Sequence, residues 1–132
     1  MDTMQRHLIT VPGIPVAWAR ARRAGNKHFP AERQANYKTK IQLCARAAGV
    51  RMAHAGVRIS IDAYWAIAKA PEARTRRIGV DPDADNVAKM VLDALKGIAY
   101  PDDNWAALGH VERWYAPRGE AARCEIVVEV LP

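Results

Sequence analysis

Cysteine and histidine are sparse in this chain, and neither is spaced for zinc. The two cysteines, Cys44 and Cys124, match no paired or metal-binding spacing and read as reduced core thiols. The four histidines stand singly, which argues against a zinc centre. No apolar run approaches a membrane span, and the start of the chain lacks the charged-then-apolar pattern of a secretory signal. These absences lead us to expect a cytoplasmic protein with no membrane partner. Internal repeats, low-complexity segments and interdomain linkers are missing too, so 132 residues, half of them hydrophobic, are expected to form one domain over 1–132.

Acid is also scarce, but only at first. Residues 1–80 hold four Asp or Glu against fifteen Lys or Arg, a balance of +11, while residues 81–132 hold ten against five, a balance of −5. A basic surface beside an acidic pocket suits an enzyme of a polyanion: cations attract the phosphate backbone, and the acids repel it unless a metal sits among them. Basic residues that only keep a protein soluble produce the same total charge, so charge alone does not decide.

Six of the eight aspartates lie between Asp81 and Asp103. Carboxylates this close raise one another's cost of ionisation unless a cation intervenes. Oxygen-only donors suit a hard divalent ion such as Mg²⁺, which takes one or two carboxylates and leaves positions for water and phosphate. Val87, Met90, Val91, Ala94, Leu95 and Ile98 recur at helical intervals, predicting a helix from Asn86 to about Lys96, with Asp83 or Asp85 at its N-cap and Gly97 closing it. Asp85, Lys89 and Asp93 stack along one side of that helix. Asp102 and Asp103 follow on a proline-containing turn expected to fold back toward the helix start. Any one of these aspartates has a plain reading as a cap or a solvated turn residue; the set, with a lysine among them, points to a metal site.

The remainder alternates strands, helices and basic loops. His7–Val11 reads as a strand ended by Pro12 and Gly13. Residues 18–27 form a basic loop in which Arg20, Arg22, Arg23 and Lys27 either grip DNA phosphates or are merely solvated, and Trp18 either stacks on a base or plugs the core. Pro30–Val50 reads as a helix that buries Tyr37, Ile41, Cys44, Ala45 and Ala48 and turns Arg33, Lys38, Lys40 and Arg46 outward. Val57–Ile67 is a strand with Val57, Ile59, Ile61, Ala63 and Trp65 on one face and Arg58, Ser60, Asp62 and Tyr64 on the other. Asp62 reads as a solvent-facing strand residue rather than a ligand. Lys69–Arg77 is a second basic loop, whose Arg74, Arg76 and Arg77 precede the aspartates and are candidate DNA contacts. Trp105–Tyr115, interrupted at Gly109, and Arg123–Leu131 are two strands expected to pair as a C-terminal β-hairpin. The expected fold is therefore α/β in the α+β sense, a mixed β-sheet with two main helices packed against it.

Asp83-Ala-Asp85-Asn86, Lys89, Asp93-Ala-Leu95 and Tyr100-Pro-Asp102-Asp103 resemble the motifs of the RusA family of Holliday-junction resolvases, small endonucleases often carried by prophages. The surrounding layout resembles that family over nearly the whole chain. The resemblance implies that Asp83, Asp85 and Asp103 are the essential carboxylates holding Mg²⁺ or Mn²⁺, that Lys89 is the functional lysine, and that Asp93 and Asp102 are accessory. It also implies a homodimer that cuts opposed strands of a four-way junction and leaves a 5′-phosphate and a 3′-hydroxyl. Three rivals remain in view. A calcium-binding loop fits Asp81, Asp83 and Asp85 but fails where its glycine and closing glutamate are replaced by Asn86 and Leu92. A nucleotide hydrolase would need a phosphate-cradling glycine loop, which is absent. A non-catalytic branched-DNA-binding protein would use the basic loops alone.

Overall fold

The computed structural model describes residues 5–18 and 29–132. In chain order the elements are β1 (Arg6–Pro12), α1 (Phe29–Ala47), β2 (Val57–Trp65), β3 (Thr75–Arg76), α2 (Ala84–Leu95), β4 (Ala106–Tyr115) and β5 (Arg123–Val130). A short 3₁₀ turn, Asp103–Trp105, leads into β4. The sheet order is β1-β5-β2-β4-β3. It is mixed: β2 and β4 run parallel, and the other neighbours are antiparallel.

Alternation in the strands decides which face is covered. Ile9 and Val11 of β1, Val57, Ile59, Ile61 and Ala63 of β2, and Cys124, Ile126 and Val128 of β5 are all buried, and the register brings Ile9 and Ile61 to opposite sides of Ile126. Period-two side chains thus build one apolar face, on which both helices pack. The α1 helix contributes Tyr37, Ile41 and Ala45, and α2 contributes Val87, Ala88, Met90, Val91, Ala94 and Leu95. A parallel neighbour for β2 requires a crossover, and this one carries α2 across the sheet. Cys44 and Cys124 are free, and burial pushes the Cys124 thiol up to about 12, as befits an inert core group. Among the described residues no helix is long and apolar enough to cross a membrane.

Expected boundaries hold to within a few residues, and the α+β class with two helices on a mixed sheet is what forms. The C-terminal hairpin is a correction. β4 and β5 run antiparallel but do not pair, because β2 lies between them. Their connection, residues 116–122, is far longer than a two-residue hairpin turn and easily spans the roughly 10 Å needed to step over one strand. The mostly buried β2 takes the central place because its apolar alternation gains most there. The second basic loop also contains an element: Thr75 and Arg76 pair with Tyr115 and Trp114 as an edge strand.

Gly109 does interrupt β4. The register with β2 shifts between Ile59 and Ile61, and a Cβ at Gly109 would run into Ser60 Oγ. Glycine lets the two strands approach at this bulge with the Ser60 and Arg58 side chains where they stand.

Candidate active site

Asp83 is the N-cap of α2: its Oδ1 accepts from the backbone N–H of Asn86 at 2.9 Å. That resolves the choice between Asp83 and Asp85, and it leaves Asp85 in the first turn, where the helix dipole favours negative charge. Arg113 holds the segment entering the cap. From β4 its guanidinium donates to the carbonyls of Val80 and Pro82, both at 2.9 Å. The Asp81–Pro82 peptide between them is cis. Arg113 was not singled out from the sequence, where one cation in a strand carries no signal.

At its other end α2 stops at Lys96, and Gly97 takes a φ of +86°, the left-handed conformation glycine adopts cheaply. The chain reverses at once: Gly97 N–H donates to the Tyr100 carbonyl at 2.7 Å. Ile98, Ala99 and Tyr100 are buried, and the Tyr100 hydroxyl donates to the Leu92 carbonyl. Burial pushes the Tyr100 phenol up, with the charges of Asp103 and Asp93 adding to it. The proline turn therefore docks on the last turn of α2, not back at its start as expected, because three apolar residues anchor it there. Asp102 caps the 3₁₀ turn, accepting from Asp103 N–H at 2.8 Å.

A cavity of about 440 Å³ opens beside α2, lined by Trp18, Lys89, Leu92, Asp93, Tyr100, Asp103 and Ala106. It brings together Lys89, Asp93 and Asp103 from three separate motif elements. Trp18 joins them, its backbone N–H donating to the Asn86 carbonyl at 3.3 Å. Each acid here has its own lysine: Asp85 with Lys89 at 3.7 Å, Asp93 with Lys38 at 3.2 Å, and Asp103 with Lys96 at 3.9 Å. Asp85 and Asp103 are 77% and 75% exposed, so these pairs are weak and easily exchanged.

Three carboxylates of this kind are the right donors for a hard divalent ion. As placed they do not close on one: Asp83 and Asp85 sit at the start of α2 and Asp103 beside Lys96 at its end. Among the described residues no three Asp, Glu, His or Cys side chains converge.

Other expected site residues lie elsewhere. Arg20, Arg22, Arg23 and Lys27 fall outside the described residues. Arg74 and Arg76 lie over the Trp114 ring, at 3.9 and 4.8 Å, on the sheet face away from the helices. Arg74 also donates to the Tyr64 hydroxyl at 2.8 Å, and Arg76 pairs with Glu112. Arg77 stacks on Trp65 at 4.3 Å. Asp62 is not idle on its outward face, accepting from Trp114 Nε1 at 2.9 Å and pairing with His110 Nε2 at 2.8 Å. These contacts make Tyr64 and Trp114 a small second cluster.

Comparison with individual characterised proteins gives no match. The family model of endodeoxyribonuclease RusA matches residues 12–129, a span that includes both helices, the aspartate motifs and nearly all of β5. The chain therefore belongs to the RusA endodeoxyribonuclease family, enzymes that hydrolyse DNA phosphodiester bonds and resolve Holliday junctions.

Proposed function

We propose that this protein resolves four-way DNA junctions by paired hydrolytic nicks, using a divalent ion, Mg²⁺ or Mn²⁺, held by Asp83, Asp85 and Asp103. The observation that carries this reading is the cavity beside α2 in which Lys89, Asp93 and Asp103 meet, in a chain of a family whose resolvases are generally dependent on a divalent metal. When bound, such an ion supplies acidification of a water and neutralisation of charge on the phosphate. The donor chemistry fits; the exposed Asp85 and Asp103 side chains have to turn from their lysines to provide it.

The chain's own residues do the rest. The α2 N-terminus and Lys89 present positive charge to the scissile phosphate, and Lys89, released from Asp85, stabilises the charge that develops there. Arg113 keeps the Asp81–Asp83 segment in place, so Asp83 enters the site without a search through loop conformations. Asp93 is held by Lys38 and Asp102 is committed to its turn, which makes both supports for neighbours. Two active sites in a homodimer would provide the second nick. Arg74 and Arg76, exposed over the Trp114 ring, are proposed to meet DNA phosphates, as are Arg20, Arg22, Arg23 and Lys27; Arg77, with its Nε and Nη1 buried, offers only Nη2.

A non-catalytic branched-DNA binder is the second reading, favoured only by the separation of the three carboxylates. One experiment separates the two. Purified protein is incubated with a synthetic four-way junction or a linear duplex, in Mg²⁺ or in EDTA. Symmetric nicks in the junction alone, abolished by EDTA, are the expected result. Junction binding with no cleavage in Mg²⁺ would install the second reading, and equal cutting of both substrates would make the protein a general nuclease.

A further inference from the structure

Behind Trp18 lies a second cavity, of about 400 Å³, walled by Trp18 and Trp65 and by the segment from Ile14 to Ala17. Its polar lining consists of Gln34, Arg33 and Asp81. Gln34 is the one buried polar residue among the described residues, at 6% exposure. Its amide is a polar group set among apolar walls, and a ligand edge entering the cavity would meet it.

We propose that this cavity reads one unstacked nucleobase of the DNA next to the cleaved bond, stacking it against Trp18 and Trp65 and hydrogen-bonding its edge to Gln34. The inference rests on the junction-cleaving reading for the identity of the polymer.

Four observations support a base as the occupant. The volume lies at the lower end of the roughly 300 to 1,000 Å³ of small-molecule sites. Trp18, and the face of Trp65 that Arg77 does not cover, offer the flat apolar surface on which every base stacks. The amide, guanidinium and carboxylate supply donor, acceptor and mixed groups, the side-chain types that discriminate base edges. The cavity also adjoins the site already described: Trp18 lines both cavities, its backbone is tied to Asn86 in the first turn of α2, and Asp81 stands two residues before the Asp83 cap. A strand crossing that point places its backbone by Lys89 and a neighbouring base behind Trp18. Unstacking is cheapest where the helix is already interrupted, as at a branch point.

The test uses four-way junctions that each carry a single abasic residue at one position near the mapped cut. At one position, loss of the base weakens wild-type binding by roughly 5- to 100-fold, the size of one base–aromatic stack. The same position discriminates among the four bases, and both effects shrink in Trp18→Ala and in Gln34→Leu. Tolerance of the abasic residue at every position, or wild-type discrimination in Gln34→Leu, overturns the proposal.

A second measurement does not depend on cleavage. Tryptophan fluorescence is followed while single-stranded oligonucleotides are added. Quenching is expected with normal strands, weaker with abasic strands of equal length, and weaker in Trp18→Phe. Equal quenching by abasic strands, or no change in Trp18→Phe, overturns the pocket even if junctions are cleaved; absent cleavage with base-dependent quenching overturns only the junction-cleaving reading.

Discussion

Asp83 combines a structural duty with a proposed chemical one, and one pair of substitutions separates them. Asparagine caps a helix about as well as aspartate, whereas alanine costs roughly 1 kcal/mol. Asp83→Asn should therefore keep the wild-type melting temperature and lose cleavage by about 100-fold or more, while Asp83→Ala loses both stability and activity. Lys89→Met isolates the second charge. Its pair with Asp85 is exposed on both sides and contributes about 0.3 to 0.5 kcal/mol, so thermal unfolding should barely change while junction cleavage falls steeply. At this scale the sequence was informative because charge is visible in it: the crowding of aspartates and the helical spacing of Lys89 need no structure to be seen. Gln34 was invisible for the opposite reason. A single amide on a helix carries no spacing signal, and its burial comes from contacts with segments distant in the chain.

Elements were legible where one period dominated, as in α2 and β2, and illegible where pairing decided. The two C-terminal strands were recognised by composition, yet no local feature said that β2 would stand between them. That is a contest among strands for the most buried position. Arg113 was missed for a related reason, since its partners at Val80 and Pro82 lie about thirty residues earlier. Arg113→Leu should cost about 1 kcal/mol through two lost hydrogen bonds, one exposed and one part-buried, measured by urea unfolding, and should lower the turnover rate more than junction affinity because the α2 entry loosens. The bulge gives a second test. Gly109→Ala places a methyl group against Ser60 Oγ and should destabilise the sheet, and adding Ser60→Ala should restore part of the loss. Additive effects in that double-mutant cycle would show that the contact is not the cause.

Folding partly mixes the charge division seen in the sequence, pairing Lys38, Arg58 and Arg76 of the basic stretch with Asp93, Glu129 and Glu112, and not all the described cations are free to meet DNA. Arg74, Arg76 and Arg77 are laid on aromatic rings, so part of the basic character of the first eighty residues stabilises the sheet edge. Stability also acquires a pH dependence from the core. The Cys124 thiol titrates at an ordinary value of 9.0 when unfolded and at about 12 when folded. Between those values the folded chain keeps a proton that the unfolded chain has released, so stability falls as pH rises through this window. Tyr37 and Tyr100, both pushed up by burial, act in the same direction. Melting temperature recorded from about pH 8 to about pH 11 should decline, less steeply in Cys124→Ala.

The account stands on the carboxylates around α2 sharing one divalent ion. Manganese binding, followed by electron spin resonance in the presence of a junction, measures this directly in wild type, Asp83→Asn, Asp85→Asn and Asp103→Asn. One saturable site displaced by Mg²⁺, weakened roughly tenfold or more by each substitution, is the predicted result. Affinity unchanged by all three substitutions would contradict it.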